Sequence, residues 1–345
     1  MNNSEHIRYI WVDYAKTIGI FLVILAHTQL TPSVQRTIYV CHMPLFFFLS
    51  GFLFSYDKYP DYKQFVVKRA RQLLLPYLTF NVIGYLFWLL IRRHFGEIPS
   101  DSEWYTPFYG MLYGAANHNW LIHNVPLWFL PSLFCVENLY YLLFKNKYKL
   151  LIVTGISLLG FVEYTLNPTR IMPFGINIAI TALVFYAAAA LLRRLIIQKE
   201  NWLDSWMFAA LIASTIIVWF ISEMNGKISM HKHIYNNYWL FLSGAFSGIL
   251  AILLFTNMLA NKMGQYVFIQ YISNNTIIIL GTHLLLFVPI KAIAIFMFNV
   301  PKEAFVNTFL PNVIISIVNL FLCLFIIYIF HHYLYWSIGR KRLIN

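Results

Sequence analysis

Long apolar runs alternate with short polar stretches along the whole chain. Each run is close to the roughly 20 residues that a helix needs to cross the hydrocarbon core of a bilayer. The runs cover residues 10–28, 37–56, 73–93, 127–144, 150–166, 174–192, 206–222, 238–258, 276–298 and 311–335. The pattern predicts an all-α, polytopic membrane protein of about ten transmembrane helices.

The composition agrees with that prediction. The chain has 345 residues, of which 60% are hydrophobic and only 11% are charged, whereas an ordinary soluble domain carries about 25% charged residues. This excludes a soluble enzyme, and the spans leave no room for a separate soluble catalytic domain. We expect residues 1–345 to form a single integral-membrane domain.

The positive charge indicates an orientation in the membrane. A net charge of +12 would suit a nucleic-acid partner, but the cations lie in short clusters beside apolar runs, where cytoplasmic flanks collect them. An even number of spans places both termini on one side, and sixteen of the 25 Lys and Arg residues fall on that side. We therefore expect both termini in the cytoplasm, a multi-pass protein of the cell inner membrane, and no nucleic acid.

The cysteines and the N-terminus add little chemistry. Cys41, Cys135 and Cys323 all lie inside apolar segments without metal-ligand spacing, so we expect neither a disulfide framework nor a metal site. The first apolar run lacks a small-residue cleavage site, which indicates a retained span rather than a signal peptide.

The first predicted span carries three ionisable residues. Asp13 and Lys16 lie near its cytoplasmic end, and His27 follows eleven residues after Lys16. Eleven residues are close to three turns, or about 16 Å along the helix axis at 1.5 Å per residue, so Lys16 and His27 share a face. Because ionisable groups inside a membrane are costly, they are candidates for function. The alternative is a snorkelling lysine and an interfacial histidine.

Two more histidines lie inside predicted spans. His42 enters the second span from the outer side and would meet His27 if the two helices are neighbours, while His283 lies in the ninth span. Neutral imidazole accepts a proton near pH 7, so three intramembrane histidines indicate proton chemistry. A lone buried histidine is otherwise a hydrogen-bonded core residue. Ser50 and Gly51 fit a helix-packing notch better than a catalytic serine.

Basic residues precede the third span. Lys68, Arg69 and Arg71 are placed to hold the phosphates of an anionic cosubstrate, although a topology signal alone would explain them. The chain has no glycine-rich phosphate loop, nucleophile elbow or paired-carboxylate signature, which argues against hydrolases and kinases.

The longest outer loop, residues 94–126, is rich in Trp, Tyr, His and Asn. Such a loop suits carbohydrate, and an aromatic belt at the lipid headgroups explains it equally well.

Five segments in this order carry a family resemblance. They read VDYAKTIGIFLVILAH (Asp13 to His27), HMPLFFFLSGFLF (His42 to Phe54), KRARQLLLPYL (Lys68 to Leu78), PLWFLPSLF (Pro126 to Phe134) and SNNTIIILGTHLLL (Ser273 to Leu286). With these motifs the chain resembles the integral-membrane acyltransferase-3 family, particularly its fucose 4-O-acetylase-like branch. Many family members have arginine where this chain has Lys16, a position at which lysine offers a point charge rather than a bidentate guanidinium.

The resemblance implies an O-acetyltransferase that moves an acyl group, usually acetyl, from cytoplasmic acyl-coenzyme A (acetyl-CoA) to a sugar hydroxyl of an envelope glycan. The acceptor would be free or lipid-linked, and a homo-oligomer is compatible with this activity. The implied site has His27 as general base, Asp13 positioning Lys16 or the helix start, and His42 orienting His27 or replacing it. Lys16, Arg69 and Arg71 would hold the donor phosphates, Trp128 and Phe129 would shape the tunnel, and His283 would lie along the donor path or donate to the oxyanion.

Two other functions fit a bundle with buried ionisable groups. A transporter or flippase of glycan intermediates would use the buried His and Lys as a proton relay, but the two halves of the chain show no matching interrupted helices. A scaffold for polysaccharide assembly would give no reason for three buried histidines.

Overall fold

The computed structural model describes residues 8–95, 102–116, 120–198 and 205–341. Across these ranges the chain is helical and contains no β-strand, only an isolated bridge between Ser229 and Ile234. The all-α class predicted from the apolar runs is confirmed.

Thirteen α-helices form the described part of the chain, and each of the ten predicted spans overlaps one of them. They are α1 (Ile10–Ala26), α2 (Pro32–Leu53), α3 (Tyr62–Phe87), α4 (Arg93–Phe95), α5 (Thr106–Tyr113), α6 (Phe129–Leu143), α7 (Lys149–Leu166), α8 (Ile176–Gln198), α9 (Ser205–Asn225), α10 (Tyr238–Met263), α11 (Val267–Asn274), α12 (Thr276–Phe296) and α13 (Leu310–His332).

Eight of the described helices are long and apolar enough to cross a membrane, which supports a multi-pass membrane protein. The two remaining helices at predicted spans are shorter, with 17 residues in α1 and 15 in α6. The count of ten spans and the cytoplasmic orientation of the termini stay predictions.

Helix α3 begins eleven residues before its predicted span. The Asp61 side chain caps the helix by accepting a hydrogen bond from the backbone N–H of Gln64 at 2.9 Å, which satisfies one of the free donors of the first turn. The basic run at Lys68, Arg69 and Arg71 therefore lies on a helix rather than in a loop, and hydropathy alone could not place the helix start.

Helices α1 and α2 lie at the centre of the bundle. Helix α1 packs against α2, α10, α11, α12 and α13, and α2 packs against α8, α9 and α10. In the most apolar stretch of α2, 67% of the residues are buried, against 11% in the peripheral α7. A Cβ on Gly51 would lie 2.1 Å from the backbone oxygen of Tyr186, so Gly51 permits α2 to approach α8 closely, as expected of a packing notch.

Candidate active site

His27 and His42 line one small cavity at the C-terminal end of α1. His27 is the C-cap residue of α1, and His42 lies inside α2. The cavity measures about 20 Å³, which is room for about one water molecule. Its lining residues are Val23, His27, Tyr39, His42, Met43, Val125, Pro126, Trp128, Met230 and His231. The two histidines thus share a cavity, as the short loop between their helices predicts.

The hydrogen bonds of the histidine rings determine which nitrogen is basic. His27 Nδ1 lies 2.7 Å from the backbone oxygen of Val23, and His42 Nδ1 lies 2.7 Å from the backbone oxygen of Ile38. A carbonyl oxygen only accepts, so each Nδ1 carries the hydrogen when it makes this bond. In a neutral ring Nε2 then holds the lone pair that accepts a proton.

His283 lies against His27 and does not line the larger cleft. The two rings meet edge to face, with centroids 5.1 Å apart. Nδ1 of His283 contacts the Ile279 carbonyl at 2.9 Å, and within the described structure its buried Nε2 has no hydrogen-bond partner. A place along the donor path and a contact to the oxyanion both stay predictions for His283.

The structure adds His231 to this cavity. Its ring centroid lies 6.5 Å from that of Trp128, and its Nδ1 lies 3.0 Å from Ser229 Oγ. Burial lowers the pKa of His231 to about 3, so the ring is neutral at physiological pH. Sequence reasoning considered only histidines inside predicted spans and therefore missed this loop residue.

The loop that carries His231 is fixed by asparagine side chains. Asn225 Nδ2 donates to the backbone oxygen of Tyr235 at 3.0 Å, and Asn225 Oδ1 accepts from the backbone N–H of Asn237 at 2.9 Å. Ser229 and Ile234 exchange two backbone hydrogen bonds across the turn. These bonds satisfy backbone groups that the loop would otherwise leave unpaired, and they hold His231 in place.

A larger cleft opens at the opposite end of α1. It measures about 380 Å³, within the usual range of small-molecule sites. Its charged lining residues are Lys16, Lys58, Arg69, Glu137 and Arg340. Of the three residues predicted to hold the donor phosphates, Lys16 and Arg69 line this cleft, whereas Arg71 is exposed and does not line it.

Arg69 is paired with a buried carboxylate. Its Nε and Nη2 both donate to Glu137, and its Nη1 donates to Gln72 Oε1 at 2.7 Å. Glu137 is only 2% exposed. Sequence reasoning missed Glu137, although an ionisable residue inside a predicted span is a signal that would have found it.

Asp13 contacts other residues than Lys16. Its carboxylate lies 2.7 Å from Nε of Arg8 and accepts a hydrogen bond of 2.6 Å from Ser273 Oγ. Asp13 therefore joins the start of α1 to α11. We expected Asp13 to position either Lys16 or the start of α1, and these contacts favour the start of α1.

Aromatic side chains separate the cleft from the histidine cavity. The two spaces share no lining residue. Phe46 and Phe129 line the cleft and touch each other with ring centroids 6.0 Å apart, and the adjacent Trp128 lines the cavity. A Cβ on Gly19 would lie 3.1 Å from the Phe46 ring, so glycine leaves space for that ring against α1. Trp128 and Phe129 are adjacent in the chain and line different spaces, and we refer to Phe46, Trp128 and Phe129 together as the aromatic partition.

The ionisable groups do not form a metal site. Across the described ranges, no group of three or more His, Cys, Asp or Glu residues is arranged to hold a metal ion.

Comparison with known proteins covers nearly the whole chain. A family model described as an acyltransferase domain, that of the acyltransferase-3 family, matches residues 9–332. The chain belongs to the acyltransferase-3 family. A search of curated proteins and a search of solved structures each found no significant match.

Membership of the acyltransferase-3 family supports acyltransferase activity in a membrane, with an acyl donor and an acceptor as partners. It supports this activity over the transporter and scaffold alternatives. The fucose 4-O-acetylase-like branch, the nature of the acyl group and the acceptor stay predictions.

Proposed function

We propose that this protein is a membrane O-acyltransferase of the cell inner membrane, which transfers an acetyl group from cytoplasmic acetyl-CoA to a sugar hydroxyl of an envelope glycan. One observation carries the proposal. The single helix α1 presents Lys16 to an open, cation-lined cleft and His27 to a separate histidine cavity, about 16 Å apart along its axis.

The cleft is the donor site in this proposal. Four cations line it against one carboxylate, and an excess of positive charge at a cleft attracts phosphates. The nucleotide end of the donor binds at the cytoplasmic rim, with Lys16 near the phosphates. The pantetheine arm then extends between the helices toward His27.

The acceptor hydroxyl reacts at the histidine cavity. His27 Nε2 accepts the hydroxyl proton as the oxygen attacks the thioester carbonyl. The carbon–sulfur bond breaks, and the coenzyme A sulfur leaves as a thiolate that takes up the proton held by His27, which restores the neutral base. A positioned base contributes roughly 10²–10⁴-fold to the rate, and holding the two reactants together contributes at least as much.

The helix termini favour His27 over His42 as the base. His27 closes α1 at its carbonyl end, whereas His42 and His283 lie in the interiors of α2 and α12. The carbonyl end of a helix stabilises a nearby positive charge by roughly 0.3–1 kcal/mol, and by up to ~2 kcal/mol where partly buried. An imidazolium formed during the reaction is therefore better supported at His27. His42 is left to orient the acceptor.

The partition must open during each reaction cycle. Phe46 and Phe129 line the cleft and contact each other, while Trp128 lines the cavity, so in this proposal the thioester reaches His27 only when these rings move apart. The cavity must also widen for a sugar, since it now holds about one water. Trp128 and His231 line it from the loops, and we place the acceptor against them.

Acetyl transfer by purified protein tests the proposal. Protein in lipid nanodiscs receives acetyl-CoA and alkali-deacetylated glycan from the source cells, and ester formation is followed by mass spectrometry. We expect His27→Ala and His27→Gln to lower kcat at least 100-fold. His332→Ala is the matched control, because Nδ1 of His332 makes the same contact four residues back, 2.9 Å from the Tyr328 oxygen, on an exposed ring.

Wild-type rates in a correctly folded His27→Ala protein would remove His27 as the base. Absence of any acetyl transfer by the wild-type protein, together with movement of glycan into proteoliposomes that contain it, would favour the transporter instead.

A further inference from the structure

The chain after α13 returns to the bundle and forms one wall of the cleft. A short 3₁₀ turn, Tyr335–Ile338, is followed by Gly339 in the left-handed region with φ 68°. Thr79 Oγ1 donates to the backbone oxygen of Ser337 at 2.8 Å. A Cβ on Gly339 would lie 2.4 Å from the Arg71 backbone oxygen, so this segment docks tightly on α3. It lines the cleft through Ile338, Gly339 and Arg340.

Neutral groups hold the Arg340 guanidinium at the rim of the cleft. Nη1 donates to Asn275 Oδ1 at 2.9 Å and lies 3.0 Å from Nε2 of His331, and Nη2 donates to the backbone oxygen of Asn274 at 2.5 Å. At most three of its five N–H groups are engaged. At least two remain for a ligand, which is the number that a bidentate phosphate contact uses.

The other cations of the cleft are less suited to this contact. Arg69 donates from Nε and Nη2 to Glu137 and from Nη1 to Gln72, and the Glu137 carboxylate compensates its positive charge. Lys16 and Lys58 carry ammonium groups on flexible stems, which act as point charges. Across the described ranges, Arg340 alone presents to this cleft a guanidinium that is fixed in place without a carboxylate partner.

We infer that Arg340 binds a phosphate at the nucleotide end of the acyl donor, and thereby makes the enzyme select coenzyme A thioesters over thioesters that lack the nucleotide. This inference rests on the proposed function, because it assigns the donor to the cleft. It moves the principal guanidinium contact from the basic run of α3 to the segment that follows α13.

Binding of coenzyme A fragments to purified protein tests the inference. Affinities for coenzyme A, 3′-dephospho-coenzyme A and pantetheine are measured by calorimetry in nanodiscs of zwitterionic phosphatidylcholine. A charge-assisted hydrogen-bond contact is worth about 10–100-fold in affinity. We expect Arg340→Gln to weaken coenzyme A binding by that factor and to leave pantetheine binding unchanged, and Arg340→Lys to give an intermediate loss.

Matched variants separate a local contact from general charge or folding effects. Lys341→Gln removes one exposed cation beside Arg340 and is expected to retain the wild-type affinity for coenzyme A. Unchanged pantetheine binding shows that the cleft is intact in Arg340→Gln. The loss of coenzyme A affinity with rising salt is expected to be less steep in that variant.

Three outcomes would overturn the inference. The first is equal affinity of wild type and Arg340→Gln for coenzyme A, and the second is an equal loss for coenzyme A and pantetheine. The third is an effect seen only when phosphatidylglycerol replaces part of the lipid, which would assign Arg340 to a lipid headgroup. If the wild type bound neither coenzyme A nor pantetheine, the proposed function itself would fail.

Discussion

The ion pair between Arg69 and Glu137 allows a quantitative test of how the cleft is built. Glu137→Gln keeps the shape of the side chain but leaves the Arg69 guanidinium without its counter-charge. Arg69→Gln leaves the opposite partner, a carboxylate that is 2% exposed, without its donors. The double variant replaces both charges with neutral amides.

The burial of the pair sets the expected magnitude. Removing one partner of a buried ion pair costs roughly 3–5 kcal/mol, because it leaves an uncompensated buried charge. The Arg69 side chain is 21% exposed and keeps its bond to Gln72, so we place the loss for Glu137→Gln near the lower limit, at about 3 kcal/mol. The double variant leaves no uncompensated charge, so its loss is expected to be clearly smaller than the sum of the two single losses.

The wild type, the two single variants and the double variant form a double-mutant cycle. Titration with SDS in mixed micelles measures the free energy of unfolding of each of these four proteins. The expected coupling energy between the two positions is at least about 2 kcal/mol. A double variant whose loss equals the sum of the single losses would show that the two side chains act independently, and would refute the interpretation of the pair as mutual charge compensation.

Two further predictions concern the partition and the loop that carries His123. Phe129→Ala removes one ring of the Phe46–Phe129 contact. We expect the rate of acetyl-CoA hydrolysis without acceptor, measured by thiol release, to rise several-fold because water reaches the thioester. An unchanged hydrolysis rate would argue against a barrier at these rings. Burial, with Arg92 nearby, lowers the pKa of His123 to about 3, below the value of about 6.5 in an unfolded chain. The unfolded state therefore binds the extra proton below pH 6.5, so stability that is present above that pH falls by about 2 kcal/mol between pH 7 and pH 5. His123→Gln is expected to remove this share of the acid sensitivity in thermal unfolding, and an unaltered pH dependence would show that His123 titrates normally.

The membrane helices, and the positions of Lys16, His27 and His42, could be predicted from patterns within short stretches of sequence. Apolar runs locate the membrane helices because the bilayer requires them to be about 20 residues long. The placement of Lys16 and His27 follows from helix geometry alone, since eleven residues within one helix fix both their distance and their shared face. His42 joins His27 because a short connection makes α1 and α2 neighbours.

The rest of the site depends on long-range packing. His231 reaches the cavity on a loop whose shape is set by the Asn225 hydrogen bonds, and Arg340 reaches the cleft because Gly339 docks on α3. Neither segment has a periodic pattern that sequence reasoning can use. Glu137 differs, because an ionisable residue within a predicted span is a candidate for function from the sequence alone. Grouping Arg71 with Arg69 does not predict its position, because Arg69 lines the cleft whereas Arg71, two residues later on the same helix, is exposed.

The aromatic partition also has a consequence for the energy supply of the cell. A continuous water path from one face of the bundle to the other would let protons leak down the electrochemical gradient, where each charge that crosses is worth about 2.3 kcal/mol per 100 mV. The cleft and the histidine cavity share no lining residue, and an aromatic barrier between them would interrupt such a path. In the proposed reaction the transferred acetyl group is uncharged, so its passage would draw nothing from the membrane voltage, while the polyanionic carrier would stay behind. A closed partition would thus let a chemical group cross without an accompanying ion leak.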